Sequence, residues 1–355
     1  LKRIPLTRQK NYFWLESNEK EEKMKRENKM KKLVILMGLI MVMIFSFTAC
    51  QAKPAERQTV KVGTLAGPTG MGMAEMIVNG VDLGENVTTE FTVAGAPDQL
   101  TASVISGEYQ IAALPSNLAA VLFNKTEGQV VLGSVNTLGV LYIVADETAG
   151  VTSIADLKGK TIVASGQGST PEYVLNYLLE KNGLTPGVDI TINYVAEHSE
   201  AVAQLVAGQA TIAMLPEPFV TTVTAKKPTI KIAVDLSKAW AEASNGSQLQ
   251  MTAVVVNKEW AETNPQVLKQ FMEAYEASVK TVNDDPAEGA KNIVAAGIMA
   301  DAALAEKAIP NCNIVFIPVK EAQQSLNEYY TILAGFEPKA VGGKVPGEDF
   351  YVLGK

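Results

Sequence analysis

The chain is poor in the residues that carry most protein chemistry. Among 355 residues there is one histidine, His198, and there are two cysteines, Cys50 and Cys312. Beyond Arg26 the only arginine is Arg57, so the folded part has no guanidinium fork for phosphate, carboxylate or sulfonate. That argues against the usual amino-acid ligands, whose carboxylate favours a bidentate arginine. The net charge of -7 provides no basic face for nucleic acid. No paired catalytic signature, cofactor motif or metal-ligand cluster stands out, so neither an enzyme nor a cofactor or metal carrier is expected. Charged residues make up 19% and hydrophobic ones 47%, ordinary proportions for a globular protein with a sizeable core, and the length suggests two domains.

Residues 1–49 read as address rather than structure. "MKKLVILMGLIMVMIFSFTAC" starts at Met30 with two lysines and runs apolar from Leu33 to Phe47, ending at Cys50. The run is short of the roughly 20 residues of a membrane span and suits a signal-peptide core. "FTAC" resembles the bacterial lipobox, with Phe47 where leucine is usual. Cys50 is therefore the expected lipid acceptor, 50–58 a tether, and the body lies outside the cytoplasmic membrane. The polar stretch before Met30, and an opening leucine, point to a translation start later than the first residue given. With Cys50 assigned to lipid, Cys312 has no disulfide partner. Bordering the apolar run in "IPNCNIVFI", it reads as a small buried hydrophobe.

The chain states one plan twice. "TVKVGTL" is a strand, followed by the glycine-broken "AGPTGMG" and a helical pattern stopping at Gly80. An offset of 101 positions brings the same grammar back: strand "KTIVASG", loop "QGSTP", helix "EYVLNYLLEKNG" ending at Gly183, with Pro171 in its first turn. The same offset lays "VISGEYQIAALPSN" on "LVAGQATIAMLPEP", Gly107 on Gly208 and Pro115 on Pro216. Each copy ends a short apolar strand with a proline, which has no N–H for the ladder.

Alternating strands and helices predict α/β lobes, each a mainly parallel sheet flanked by helices. In such sheets ligands bind beyond the carboxyl ends of the strands, where "GPTG", "LPSN", "GQGSTP" and "LPEP" fall. If "GVLYIVA" and "LQMTAVVVNKEW" both cross between lobes, lobe 1 comprises 59–146, lobe 2 147–250, and 251–355 returns to lobe 1 with C-terminal helices. Two hinge strands are what a closing cleft requires.

These stretches resemble the substrate-binding lipoproteins of bacterial ABC importers, in the nitrate/sulfonate/taurine-type branch. The resemblance rests on the lipobox, "VKVG", "GAPDQLTASVISGEYQIAALP", "DLKGKTIVASGQGSTPEYVLNYLLEKNGL" and "AVAQLVAGQATIAMLPEPF", and spans Thr59 to the end. It implies a two-lobe, type II periplasmic-binding-protein-like fold and a small solute held between the lobes: a sulfonate-, nitrate- or taurine-like anion, or a pyrimidine-like heterocycle. It also implies an ABC permease with its ATPase as partners, a membrane hold through lipid on Cys50, and a monomer.

Several residues are candidates for ligand binding. Thr69 and Gly70 begin a helix whose free N–H groups suit a polar ligand edge, or form only a tight turn. Gly168, Ser169 and Thr170 make the same case, in a loop that lacks the lysine of a phosphate loop. Ser116 and Asn117 offer a hydroxyl and an amide, or serve a plain turn. Thr137 opens the first crossing strand. Glu217 accepts from a ligand N–H or braces the next helix. Met73 and Met76 share a helical face and belong to the core, while Met71, nearer the loop, is placed at the ligand. His198, at a helix start, reads as structural or exposed. Tyr142, Tyr173 and Trp240 are candidates to stack on a planar ligand. The rival readings are a surface sensory or interaction lipoprotein, and an enzyme on the same scaffold.

Overall fold

The computed structural model describes residues 20–34, 36–37 and 57–354. The chain divides into two units, Leu1–Glu56 and Arg57–Lys355. In the first, residues 20–34 are helical and exposed throughout, with Lys25 paired to Glu21 one turn away. Most of the apolar leader, and Cys50 itself, lie outside the described residues. Among the described residues no helix is long and apolar enough to cross a membrane.

The second unit holds eleven described strands: β1 (Gln58–Leu65), β2 (Val87–Ala94), β3 (Ile111–Pro115), β4 (Val130–Leu138), β5 (Leu141–Asp146), β6 (Thr161–Ala164), β7 (Thr191–Tyr194), β8 (Ile212–Pro216), β9 (Ile230–Asp235), β10 (Gln250–Asn257) and β11 (Ile314–Pro318). They form a six-stranded sheet in the order β11-β4-β10-β3-β1-β2 and a five-stranded sheet in the order β7-β6-β8-β5-β9. Each sheet contains a parallel trio, β2-β1-β3 in one and β7-β6-β8 in the other. The remaining strands add antiparallel. β10 pairs with β3 and β5 pairs with β8, and these are strands by which the chain changes sheets. The first change falls between Leu138 and Leu141, a few residues ahead of position 146. The second falls between β9 and β10.

The duplicated grammar has a duplicated result. β3 and β8, "IAALP" and "IAMLP", each lie third in their parallel trio, buried on both faces along all five residues. Their alternation sends side chains to opposite faces. Ile111 and Ala113 join one apolar cluster with Val60, Val62 and Phe271, while Ala112 and Leu114 join a second. That second cluster also takes Leu141, Ile143 and Met214 from the other sheet, so one apolar core runs unbroken behind both sheets. Val144, Ala213 and Leu215 face a third, smaller cluster.

Helix ends obey their sequence signals. The helix Ala74–Asn79 stops at Gly80 (φ 75°), and Thr170–Lys181 carries Pro171 in its first turn with Gly183 (φ 70°) just past its end. Cys312 is fully buried in the core of the first sheet, where burial pushes its thiol pKa up.

Candidate functional site

The two parallel trios point their carboxyl ends at one another across a cleft of about 280 Å3. Each of the six strands delivers residues to it. Leu65 and Ala66 lie at the end of β1, Gly95 comes after β2, and Pro115 ends β3. Ser165 comes after β6, Ala196 to Ser199 after β7, and Pro216 ends β8. Open α/β sheets place ligands at such strand ends. Six helices among the described residues also begin here: Pro68–Met71, Asp98–Ile105, Ser116–Lys125, Thr170–Lys181, His198–Val206 and Phe219–Lys226. The first N–H groups of a helix have no partner within it, and the positive end of the dipole lies there.

The two walls differ. On the first-sheet side, Leu65, Ala66, Pro68, Gly95 to Pro97 and Pro115 leave Thr69 as the one polar side chain. On the second-sheet side stand Ser165, Ser169, Thr170, Glu197, His198 and Ser199, together with Phe219. Val140 and Leu141, at the first change of sheet, and Met251 complete the lining. No lysine or arginine among the described residues lines it, and Glu197 is its only fully charged group.

His198 sits at the centre of the polar wall. Its Nδ1 is hydrogen-bonded to Ser165 Oγ, and its ring lies 5.1 Å from that of Phe219 at 45°. One edge of the residue stays open to the cleft, but the ring is crowded by protein. This desolvation holds its pKa down at about 4, so the imidazole is neutral at physiological pH. Beside it, the Glu197 carboxylate accepts from Ser199 Oγ at 3.0 Å and reaches toward Gly95 on the opposite wall.

Of the residues singled out in the sequence, Thr69, Ser169 and Thr170 stand on the cleft wall. The others lie off the cleft lining, most of them turned to the protein itself and Gly168 exposed. Gly70 is packed so closely on the carbonyl of Leu65 that a Cβ has no room, and Met71 is fully buried in the first-sheet core with Met73 and Met76. Ser116 Oγ donates to the Gln250 carbonyl, and Asn117 Nδ2 to that of Ala340 at 3.2 Å. Asn117 Oδ1 accepts from Thr170 Oγ1 at 3.0 Å, a buried bond from one sheet's helix to the other's. Thr137 Oγ1 donates to Pro68 O at 3.5 Å and its neighbour Asn136 Nδ2 to Thr69 O at 3.0 Å, so this pair holds the Pro68–Thr69 loop. The Gly168 N–H donates to Glu172. Glu217, 2% exposed, accepts from the Thr221 N–H at 3.0 Å and hydroxyl at 3.1 Å, bracing the helix Phe219–Lys226. Burial raises its pKa, and those two bonds oppose the shift. Trp240 lies in the continuous core, its ring 4.8 Å from Tyr177 and 5.4 Å from Tyr329; neither it nor Tyr142 nor Tyr173 lines the cleft.

Sequence reasoning passed over Ser165, Glu197 and Phe219, and set His198 aside. Their signal was positional: each falls within a few residues of a strand's carboxyl end. Among the described residues no cluster of histidine, cysteine, aspartate and glutamate is placed to hold a metal ion.

Two α/β halves joined by two crossings, with a cleft at the facing strand ends, define a solute-binding protein of the periplasmic type. The chain belongs to the family described as ABC transporter, phosphonate, periplasmic substrate-binding protein, whose profile matches residues 78–298. No curated protein matches it. Among solved structures, an ABC transporter protein of Parabacteroides distasonis is 28% identical, with a TM-score of 0.70 over 82% of this chain and 98% of that one. The alkanesulfonate-binding protein of Xanthomonas axonopodis pv. citri, bound to MOPS, is 16% identical with a TM-score of 0.62, covering 82% and 96%. The periplasmic nitrate-binding protein of Synechocystis PCC 6803 is 12% identical with a TM-score of 0.57, covering 85% and 86%. The protein is thus a periplasmic substrate-binding protein of an ABC transporter, and its family serves transport. Such proteins bind small solutes outside the cytoplasm and deliver them to a permease and its ATPase.

Proposed function

We propose that this protein is a lipid-anchored receptor, held to the membrane through Cys50, that closes its two halves over a small organic solute with an anionic or polar head. The observation that carries this reading is the difference between the cleft walls. An apolar body fits against Leu65, Pro68, Pro97 and Pro115, and a polar head fits at the helix starts of the opposite wall, where the hydroxyls of Ser165, Ser169 and Thr170 are held by His198, the Gly166 carbonyl and Asn117. With no lysine or arginine in the lining, a sulfonate-like anion is held chiefly by the N–H donors of the helix starts. A bare nitrate leaves the apolar wall uncovered. The cleft volume, about 280 Å3, lies at the small end of the range for ligand sites.

A second reading, a pyrimidine-like ring, is favoured by the two neighbouring rings of His198 and Phe219, tilted at 45° on the cleft wall. A hydrolase built on the Ser165–His198 contact is disfavoured. A general base is most useful with a pKa near the working pH, and burial holds His198 at about 4.

On this reading lobe 1 runs from 59 to the first change of sheet after Leu138 and again from Gln250, lobe 2 lies between, so that β5 moves the first boundary ahead of the expected 146, and the protein works as a monomer. The test is the melting temperature of the chain from Gln51 onward against alkanesulfonates, taurine, nitrate, phosphonates and pyrimidines. A solute that binds only the folded form stabilises it by about 2.7 kcal/mol at a hundredfold excess over its Kd. A shift with one class identifies the head. Silence across the panel favours the sensory alternative. Cys50→Ala is expected to release the protein from the membrane fraction; unchanged membrane association sinks the lipid anchor.

A further inference from the structure

We infer that Glu197 sets a ceiling of one negative charge on the solute, so that the cleft accepts a sulfonate or a singly ionised phosphonate and rejects the phosphonate dianion. The inference rests on the cleft being the solute site, and it narrows that reading in a direction the family's description does not suggest.

Charge accounting around the cleft carries it. Helix starts present N–H donors and about half a positive charge each, spread over the first turn. That suits an anion whose single charge is shared among several oxygens. A second charge needs a counter-charge, and the described lining has none. The one full charge present has the wrong sign. Glu197 precedes the helix His198–Val206 and is exposed at the mouth, with Oε1 4.0 Å from where a Cβ on Gly95 would stand. Its carboxylate therefore spans the entrance from the polar wall to the apolar one.

The groups facing Glu197 supply no compensation. Across the gap are Gly95, Ala96 and Pro97, and the first charged residue beyond them is Asp98, an acid. On its own helix are the neutral His198, Ser199 and another acid, Glu200. From the strand ends come Ser165, Pro216 and Phe219, and the nearby Glu217 is tied to Thr221. At low dielectric a second solute charge meets this carboxylate without a cation to offset it.

The test uses two isosteres, ethanesulfonate and ethylphosphonate, titrated calorimetrically into the soluble chain at pH 6 and pH 9. His198 does not change charge over that range, so the cleft's own imidazole adds no pH dependence. Ethanesulfonate affinity is expected to stay within about twofold. One pH unit above its second ionisation, roughly one phosphonate in eleven remains a monoanion, so its affinity is expected to fall about tenfold. In Glu197→Gln that fall is expected to shrink by at least about twofold, since a unit charge within a Debye length has been removed.

Ethylphosphonate binding that holds or tightens at pH 9 overturns the ceiling. An undiminished fall in Glu197→Gln removes Glu197 from it. Binding of neither isostere at either pH overturns the anion inference as a whole. Failure of the cleft reading is seen separately: Gly95→Trp, on the mouth of the opposite wall, then leaves the binding of any solute found in the melting screen unchanged.

Discussion

The two proline-ended strands, "IAALP" and "IAMLP", occupy equivalent places in the two sheets and end at the same cleft, yet the residues just past them are employed differently. After Pro115, Ser116 and Asn117 turn inward and hold the first half to Gln250, Ala340 and, through Thr170, the second half. After Pro216, Glu217 braces its own helix and only Phe219 reaches the cleft. The contrast extends to the whole walls, one nearly free of polar side chains and the other rich in them. Duplicated backbone grammar thus yields equal frames and unequal surfaces. In this pair the polar residues nearest the prolines brace the frame, and of the two loops only the second adds a further residue, Phe219, to the cleft lining.

Four experiments bear on that contrast. The largest effect is expected from Gly95→Trp, which fills the mouth from the apolar wall. Solute affinity should fall at least about a hundredfold, roughly 2.8 kcal/mol, with little change in the melting of the free protein. Retained affinity means the walls do not enclose the solute.

Thr170→Val comes next. It leaves Asn117 Oδ1 buried without its donor, and denaturant unfolding should show a loss of about 1–3 kcal/mol. A double-mutant cycle with Asn117→Ala should recover most of that as coupling; additivity says the halves are not joined there.

Glu217→Ala removes a helix brace and should cost about 1 kcal/mol of stability. The loss is limited because the carboxylate is desolvated where it stands. Solute affinity should change less than twofold, and a tenfold fall would return Glu217 to the recognition surface.

The smallest effect concerns His198, the only histidine and therefore a single resolved imidazole in proton NMR. Its midpoint in the folded protein should lie at about 4, below the unfolded value near 6.5. Between those values the unfolded chain binds more protons, so stability from this group is full above about 6.5 and is lost as pH falls toward 4. His198→Gln should flatten that slope. A midpoint near 6.5 would show the ring solvated and the polar wall able to gain a charge.

Much of the frame was legible in sequence because local rules decide it. Proline stops β3 and β8, glycines at 80 and 183 end helices, and Pro171 opens one. The offset of 101 positions announced two related halves before any sheet was drawn. The antiparallel strands β5 and β10 were less legible, since an apolar run reads the same in either direction. Of the candidate site, the strand ends follow from the α/β pattern, while most of the side chains singled out beside them bond or pack within the protein. Ser116 finds its partner 134 residues away and Asn117 finds one 223 away. A serine or asparagine after a proline carries no local sign of such a partner. Trp240 misled for a related reason: a large aromatic is equally suited to a ligand face and to a core, and here the Tyr177–Tyr329 pocket claimed it.

That pocket belongs to the apolar core that runs unbroken behind both sheets, with Tyr177 and Trp240 contributed by the second half and Tyr329 and Phe336 by the last long helix. The halves are therefore poor candidates for trading between relatives. A chimaera that takes its second half from another receptor inherits foreign partners for Tyr329 and Phe336, and a half expressed alone bares aromatic surface. Engineers who wish to transplant solute preference should move loops at the strand ends and leave the shared aromatic seam with its owner.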